Sequence, residues 1–306
     1  MILIANDEGR CGVNKSFELL KANKDGLRAI IEGIKLVEEN TDIRTVGKGG
    51  WPDVTGHVTL DAAVMDGDSL KTGAIGALEG FLNPVEVAYE VFRRLNHELL
   101  VGEGANRFAA EIGAKESNNL IESAETAWRN HIEKYLTKEQ GEKFPNIPLI
   151  ELSKKAIDPE KIFDTTVYLS RDHLNKISSA TSTSGWAWRY PGRLGDSPII
   201  GAGSYADSRY GAAACTHTGE MAIRCSTARS IVLYQKMGMS VEEAVHEAAN
   251  DLKGLKHGYL DELTLHAIDA KDNYKVISFR GSEPVYYWVW KTGMEKPVKE
   301  QAEYLD

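Results

Sequence analysis

Side chains that could do chemistry are concentrated in five short runs of the second half, residues 163–167, 181–185, 192–198, 201–207 and 211–220. These runs are rich in hydroxyl groups and small residues, and one of them holds Arg193 and Asp196. A threonine hydroxyl becomes a useful nucleophile only when a nearby base takes its proton. A guanidinium group can bind both oxygens of a carboxylate. Residue types alone do not show whether these side chains act together, so the motifs around them and their spacing must be considered.

Each candidate also has a structural interpretation. Thr165 and Thr183 fit ordinary strand positions, and Arg193 with Asp196 fits a surface ion pair in a glycine turn. Thr216 fits the cap of a helix that starts near residue 219. The glycine runs 102–104 and 201–203 resemble phosphate loops, but neither precedes the lysine–serine pair that a P-loop needs. The remaining histidines show no metal-ligand spacing, so they are interpreted as surface or core residues.

Strands and helices must position these runs. The apolar start predicts a first strand near residues 1–7, and helical spacing of apolar residues predicts a helix over 15–39. Alternation predicts a strand near 58–64, small side chains favour a strand near 71–79, and Asn83-Pro84 starts a further helix. Two further helices are predicted at about 104–113 and 117–135. Residues 136–163 are rich in Lys, Glu and Pro, which predicts an exposed connector.

The chain returns to strand-like runs from Thr165. Residues 165–169 and 177–183 are predicted strands, followed by helices at about 220–237 and 241–255 and strands near 262–269, 274–279 and 285–290. Strands and helices do not alternate regularly along the chain. The pattern therefore favours an α+β layered fold over regular βαβ repeats.

Composition argues against several kinds of partner and of cellular setting. The 306 residues carry a net charge of −9, with 45 acidic side chains against 36 basic ones. Nucleic acids and anionic membranes select for concentrated Lys and Arg, so neither is the expected partner. No apolar run approaches the roughly 20 residues that span a bilayer, and the apolar start is too short for a signal peptide. Three widely spaced cysteines favour a reducing cytoplasm over a disulfide framework.

Across these runs the sequence resembles the glycosylasparaginase (aspartylglucosaminidase) branch of the type 2 asparaginase family. In the first half the matching runs are residues 46–53, 56–62, 65–66, 83–84 and 100–105. In the second half, residues 193–198 and 201–207 match almost letter for letter. The intervals from Thr165 to Thr183 and to Arg193 fit the family without a gap. The resemblance covers nearly the whole chain, which makes it far more specific than a lone glycine motif.

The resemblance implies a four-layer αββα sandwich of the N-terminal-nucleophile hydrolase type. Residues 1–306 would be made as one single-domain precursor and cut between Asp164 and Thr165. The products would be an α-subunit, residues 1–164, ending in the connector at about 136–164, and a β-subunit, residues 165–306. The freed α-amine of Thr165 would act as the base, since its reference pKa lies near 8. This mechanism needs no cofactor or metal, and the family precedent is a homodimer of cleaved αβ units.

The resemblance also assigns roles residue by residue. Thr165 matches the nucleophile, and Thr183 matches its hydrogen-bonding partner near the new amino terminus. Arg193 matches the residue that binds the substrate α-carboxylate, and Asp196 the one that binds the α-ammonium. The Thr216 hydroxyl and the His217 backbone N–H match the oxyanion hole, a feature whose loss commonly costs about 2.7–4 kcal/mol of barrier per donor.

Four positions depart from the family pattern. Asn6 stands where the family has a tryptophan, which predicts a more open and more polar pocket. Phe163 replaces a histidine before the cut, Val167 replaces a glycine, and His217 replaces a glycine in the oxyanion turn. A histidine there is unfavourable if the turn needs a positive φ angle. These changes leave the catalytic set in place and affect the expected substrate and cleavage rate.

Trp186, Trp188 and Arg189 lie between the predicted catalytic strand and Arg193. They would either form a replacement wall for the pocket, where tryptophans stack on a sugar or an aromatic group, or belong to the core or a subunit contact.

The sequence therefore predicts a small-molecule amidohydrolase that acts on the side-chain amide of an asparagine derivative. The leading substrate is N4-(β-N-acetylglucosaminyl)-L-asparagine or a related N4-substituted asparagine, and the alternative is L-asparagine or a β-aspartyl dipeptide. A rival hypothesis from another class is an uncleaved, non-catalytic binding relative, motivated by the departures at Phe163, Val167 and His217.

Overall fold

Two β-sheets form the centre of the protein in the structure, a computed structural model that describes residues 1–157 and 165–306. The large sheet has the strand order β12-β11-β1-β5-β6-β2-β3-β4, and the small sheet has the order β13-β10-β9-β8-β7. The strands of the large sheet are β1 Ile2–Asn6, β2 Leu60–Asp66, β3 Thr72–Leu78, β4 Leu99–Val101, β5 Thr166–Arg171, β6 Ile177–Thr183, β11 Tyr286–Lys291 and β12 Val298–Gln301. Those of the small sheet are β7 Ser204–Asp207, β8 Gly211–His217, β9 Leu263–Asp269, β10 Tyr274–Phe279 and β13 Glu303–Leu305.

The helices fall into two groups along the chain. Seven precede β5 and three follow β8 within the described residues. They are α1 Val13–Lys21, α2 Gly26–Glu39, α3 Pro84–Arg94, α4 Gly102–Glu111, α5 Glu122–Ile132, α6 Lys138–Lys143, α7 Ile150–Ala156, α8 Gly219–Cys225, α9 Thr227–Lys236 and α10 Val241–Lys253. The predicted α+β class is confirmed.

Three apolar cores hold these elements together. The first joins the large sheet to α1–α4, with Ile30, Ile34 and Val91 fully buried. The second joins the small sheet to α8–α10. The third lies between the sheets, where Val167 of β5 packs with Ala214 of β8. Val167 is therefore an ordinary buried strand residue.

β5 occupies the middle of the large sheet because it pairs on both sides. It runs antiparallel to β1, with Ala5 opposite Tyr168, and antiparallel to β6, with Thr166 opposite Ser182. A strand with two neighbours has few ways to move, since each rung of the ladder fixes its main chain. The start of β5 is thus a rigid place for a reactive side chain.

Two predicted helices are each divided in the structure. Residues 15–39 form α1 and α2, because the chain turns at Asn23 with a φ angle of +56°. Residues 220–237 form α8 and α9, because Ser226 has a φ angle of +49°. A residue with a positive φ angle cannot continue a right-handed helix. Asn and Ser predict such an angle much less strongly than Gly does. The prediction of a helix starting at Pro84 is confirmed.

The predicted exposed connector is wrong in part. Residues 136–157 contain α6, which begins with a capping box at Thr137 and Gln140, and α7. Leu152 and Ala156 of α7 are buried against a cluster that includes Trp188. An apolar stripe of two positions in a seven-residue helix is too short to detect as periodicity. Phe163 and Asp164, the predicted residues before the cut, lie outside the described residues.

No helix in residues 1–157 or 165–306 has both the length and the apolar character needed to cross a membrane.

Candidate active site

Thr165 lies immediately before β5 and is only 4% exposed. Since Thr166 lies opposite Ser182, one further step of the antiparallel register places Thr165 beside Thr183, the last residue of β6. The Thr165 Oγ1 atom is 3.3 Å from the Oγ atom of Ser197. The structure thus brings the predicted nucleophile and its predicted partner together at the ends of two central strands.

Asn6 contacts the same end of β5. Its Nδ2 atom donates a hydrogen bond to the carbonyl oxygen of Thr165. Its Oδ1 atom accepts hydrogen bonds from the Val167 backbone N–H at 3.0 Å and from the Thr166 hydroxyl at 3.3 Å. The sequence predicted that Asn6 would make the pocket more polar. Asn6 also lies in the wall of the cavity described below, and most of its hydrogen bonds go to the chain at the start of β5.

Thr216 and His217 form the end of β8 in the facing sheet. Thr216 is 2% exposed, and His217 has a φ angle of +84°. The predicted conflict at this glycine position is therefore present, because a histidine holds a left-handed conformation. The His217 Nδ1 atom lies 3.0 Å from the Thr264 Oγ1 atom. Burial lowers the pKa of His217 to about 4, so the imidazole is neutral at physiological pH.

A cavity of about 270 Å³ opens beside Thr165. Thr165, Thr216, His217 and Asn6 lie in its wall, so it joins the nucleophile to the oxyanion candidates across the two sheets. Its wall also carries four carboxyl side chains, from Asp7, Glu8, Glu262 and Glu283. Burial raises the pKa of Glu262, which accepts a hydrogen bond from Ser278. Among the described residues that line this cavity there is no lysine or arginine.

Arg193 lies in the loop between β6 and β7. Its guanidinium binds the carboxylate of Glu220 through three contacts of 2.9–3.0 Å and lies 4.2 Å from the ring centre of Trp186. This geometry shows that the group is oriented to hold a carboxylate. Glu220 was not singled out from the sequence, because no spacing signal connects it to Arg193.

Asp196 is 4% exposed, and its Oδ2 atom has no hydrogen-bond donor among the described residues. Burial raises the pKa of Asp196 to about 7, the nearby Arg193 opposes that rise, and the carboxylates of Glu220 and Asp61 add to it. A buried carboxylate with an unused oxygen gains most from a cation. The next residue in the chain, Ser197, contacts Thr165, so Asp196 is adjacent to a residue that touches the candidate nucleophile.

Trp186, Trp188 and Arg189 do not form the wall of this cavity. Trp188 is 1% exposed and packs in the cluster with α7. Arg189 is buried and donates to the carbonyl oxygens of Trp51, Trp186 and Thr59. The structural interpretation therefore holds for Trp188 and Arg189, while Trp186 supports the guanidinium of Arg193.

One cluster elsewhere has ligand atoms close enough to share a metal ion, namely Glu242, His246 and Glu303. The ammonium group of Lys275 already binds both carboxylates. A cation bound there would have to displace that lysine. None of these side chains lines the cavity beside Thr165.

Comparison with known proteins places this geometry in a family. A family model described as asparaginase matches residues 10–260. The chain is 35% identical to a plant-type L-asparaginase of Pyrococcus horikoshii over 272 residues, which cover 89% of this chain and 85% of that protein. It is 34% identical to an N(4)-(β-N-acetylglucosaminyl)-L-asparaginase of Elizabethkingia miricola over 234 residues, which cover 76% of this chain and 64% of that protein.

A third relative is a putative N(4)-(β-N-acetylglucosaminyl)-L-asparaginase of Drosophila melanogaster. It is 34% identical over 308 residues, covering 93% of this chain and 77% of that protein. The family model covers most of the chain, and the resemblance inferred from the motifs is confirmed. The chain belongs to the type 2 asparaginase family.

Proposed function

We propose that this chain is an autoprocessing amidohydrolase that hydrolyses the side-chain amide of an asparagine derivative through an acyl-enzyme on Thr165. The observation that carries the proposal is the position of Thr165. It is buried at the start of a central strand, it contacts Ser197, and it shares a cavity with Thr216 and His217. Both kinds of relative named above are asparagine amidases by name.

The proposed activation is cleavage of the peptide bond between Asp164 and Thr165. Residues 1–164 would become the α-subunit and residues 165–306 the β-subunit, with the connector at about 136–164 ending at the cut. The three cores support the expected αββα arrangement, because helices pack on the outer face of each sheet and the sheets pack on each other. We extend the family's homodimer of cleaved units to this chain as part of the proposal.

In the proposed reaction the α-amine of Thr165 takes the proton of its own hydroxyl as the oxygen attacks the amide carbon. The negative charge that develops on the amide oxygen is stabilised by the Thr216 hydroxyl and the His217 backbone N–H. The amine leaves with the transferred proton, and an ester forms on Thr165. Water then attacks the ester and the acid is released. Because the base and the nucleophile belong to one residue, little entropy is lost in bringing them together.

Recognition of the amino-acid head group is assigned to Arg193 and Asp196. Arg193 already holds a carboxylate in a two-pronged geometry, that of Glu220. Asp196 offers a buried oxygen that receives no hydrogen bond from the part of the chain that the structure describes, which suits an ammonium group. Neither residue lines the cavity described above, and we therefore assign that cavity to the leaving amine.

The leading substrate is N4-(β-N-acetylglucosaminyl)-L-asparagine or a related N4-substituted asparagine. A cavity of about 270 Å³ on the leaving-group side supports a substituted amide. L-Asparagine and β-aspartyl dipeptides share the head group and remain the alternative within the class. Steady-state rates on these three substrates at one pH rank them directly.

The test begins with intact mass spectrometry of fresh and aged protein. Two masses that sum to the chain plus one water, with one fragment starting at Thr165, are the expected result. Thr165→Ala should abolish both cleavage and hydrolysis, while Thr165→Ser, which keeps a hydroxyl, should retain measurable activity. A wild-type chain that stays uncut and hydrolyses none of the substrates would refute the proposal and favour the binding relative.

A further inference from the structure

The ladder between β1 and β5 stops before it reaches Thr165. Its last pair is Ala5 opposite Tyr168, so the next position on β1 is Asn6. The main chain of Asn6 still pairs on its other side, with Tyr287 of β11. Asn6 is therefore fixed in the sheet, although its backbone makes no further rung with β5.

The side chain of Asn6 supplies the missing rung. Its Oδ1 atom accepts from the Val167 N–H at 3.0 Å, and its Nδ2 atom donates to the Thr165 carbonyl oxygen. A carboxamide carries the same donor and acceptor as a peptide unit, so it can replace a ladder partner. Asn6 is 4% exposed, which means that water does not compete well for these bonds.

We propose that Asn6 is a positioning residue that holds the main chain of Thr165 and thereby directs its hydroxyl and α-amine. This inference rests on the proposed function of Thr165. Asn6 fixes the carbonyl of Thr165 and Ser197 contacts its hydroxyl, so both contacts contribute to the position of this residue. Loss of the first contact frees the peptide that carries the nucleophile. Because small misplacements of a reacting group are costly, the rate of the chemical step should fall.

The decisive variant is Asn6→Asp, which keeps the shape and the acceptor for Val167. It replaces the donor with an oxygen that faces the Thr165 carbonyl and the Glu8 carboxylate, which Asn6 now contacts at 3.2 Å. Measured per cleaved chain, kcat should fall by about tenfold or more. With L-asparagine, whose leaving group is only ammonia, KM should stay within about twofold, because Asn6 lies on the leaving-group side and takes no part in head-group recognition. The appearance of the Thr165 terminus should also slow.

A matched control is available at Asn119. It is 3% exposed, and its Nδ2 atom donates to the Phe81 carbonyl oxygen at 2.8 Å. Asn119→Asp makes the same chemical change to a buried donor but involves neither Thr165 nor the cavity. It should lower the melting temperature and leave kcat unchanged.

Asn6→Ala tests the same contact without introducing a charge, and it serves if Asn6→Asp fails to fold. Its kcat should also fall, by less than in a folded Asn6→Asp. A raised KM with wild-type kcat would overturn the inference, because Asn6 would then act through substrate contact. An equal loss of kcat in Asn119→Asp would also overturn it, as a general effect of instability. If the wild-type chain hydrolyses none of the substrates, the proposed function is wrong, and the inference about Asn6 is wrong as well.

Discussion

Asp196 should make recognition of the substrate ammonium group depend on pH near neutrality. Burial raises the pKa of this carboxyl to about 7, so it changes charge inside the usual assay range. Only the ionised form attracts an ammonium group strongly. Lowering the pH should therefore weaken binding. The pH dependence of kcat/KM should give the pKa of Asp196 in the free enzyme.

The magnitude follows from the titration of one group. With a pKa of about 7, the ionised fraction is about 9% at pH 6 and about 91% at pH 8. The α-amine of Thr165 also titrates in this region, so a single substrate cannot separate the two groups. Succinamate separates them, since it has the carboxylate and the amide of L-asparagine but no ammonium. The ratio of kcat/KM for L-asparagine to that for succinamate should rise about tenfold from pH 6 to pH 8.

The measurement is initial rates of ammonia release at five or more pH values with both substrates. Asp196→Asn should remove the pH dependence of the ratio and lower the ratio at pH 8. A ratio that stays flat in the wild type would refute the reasoning, since either the carboxyl is ionised throughout or Asp196 does not face the ammonium group. The titration of the Thr165 α-amine affects both substrates equally, so it cancels in the ratio.

Three further results are expected. Arg193→Ala should raise KM at least tenfold for substrates with a free α-carboxylate, and unchanged kinetics would remove Arg193 from the site. Arg189→Met should lower the free energy of unfolding by about 2–4 kcal/mol in urea titration, because three carbonyl oxygens lose a charged donor; a change below about 0.5 kcal/mol would contradict this. Burial raises the pKa of Glu38 to about 8, so its protonated form favours the folded state below pH 4.5 and this contribution is lost as pH rises to about 8. The stability of Glu38→Gln relative to wild type should therefore increase from pH 5 to pH 8, and a constant difference would show that Glu38 has an ordinary pKa.

Much of the fold could be predicted because its patterns are local. The strands β2, β3, β6, β9, β10 and β11 lie in runs that their residue types predict as strands, and α3 begins at a proline. The errors have local causes as well. Asn23 and Ser226 divide two predicted helices because both have positive φ angles, which their residue types do not predict. The connector helix α7 was missed because only Leu152 and Ala156 mark its buried face strongly.

For the candidate site, the sequence predicted most of the residues but not the contacts between them. Thr165, Thr183, Arg193, Asp196, Thr216 and His217 were identified by their match to family motifs, and their roles remain proposals. Ser197 and Glu220 lie in the same runs, yet their contacts with Thr165 and Arg193 come from how the loop 184–203 folds against β5 and α8. A contact between residues 27 or more positions apart leaves no periodic signal in one sequence.

The sequence alone determined the class of elements, the family and the set of hydroxyl, guanidinium and carboxyl groups, because residue types and local spacing encode them. Only the tertiary structure decided which of these groups meet. It placed Thr165 and Thr216 on different sheets around one cavity and buried Asp196 until its pKa approached neutrality. It also showed that Asn6, a residue of the cavity wall, is a partner of the Thr165 carbonyl. Burial, electric field and strand register depend on the whole packed chain, so no local pattern can specify them.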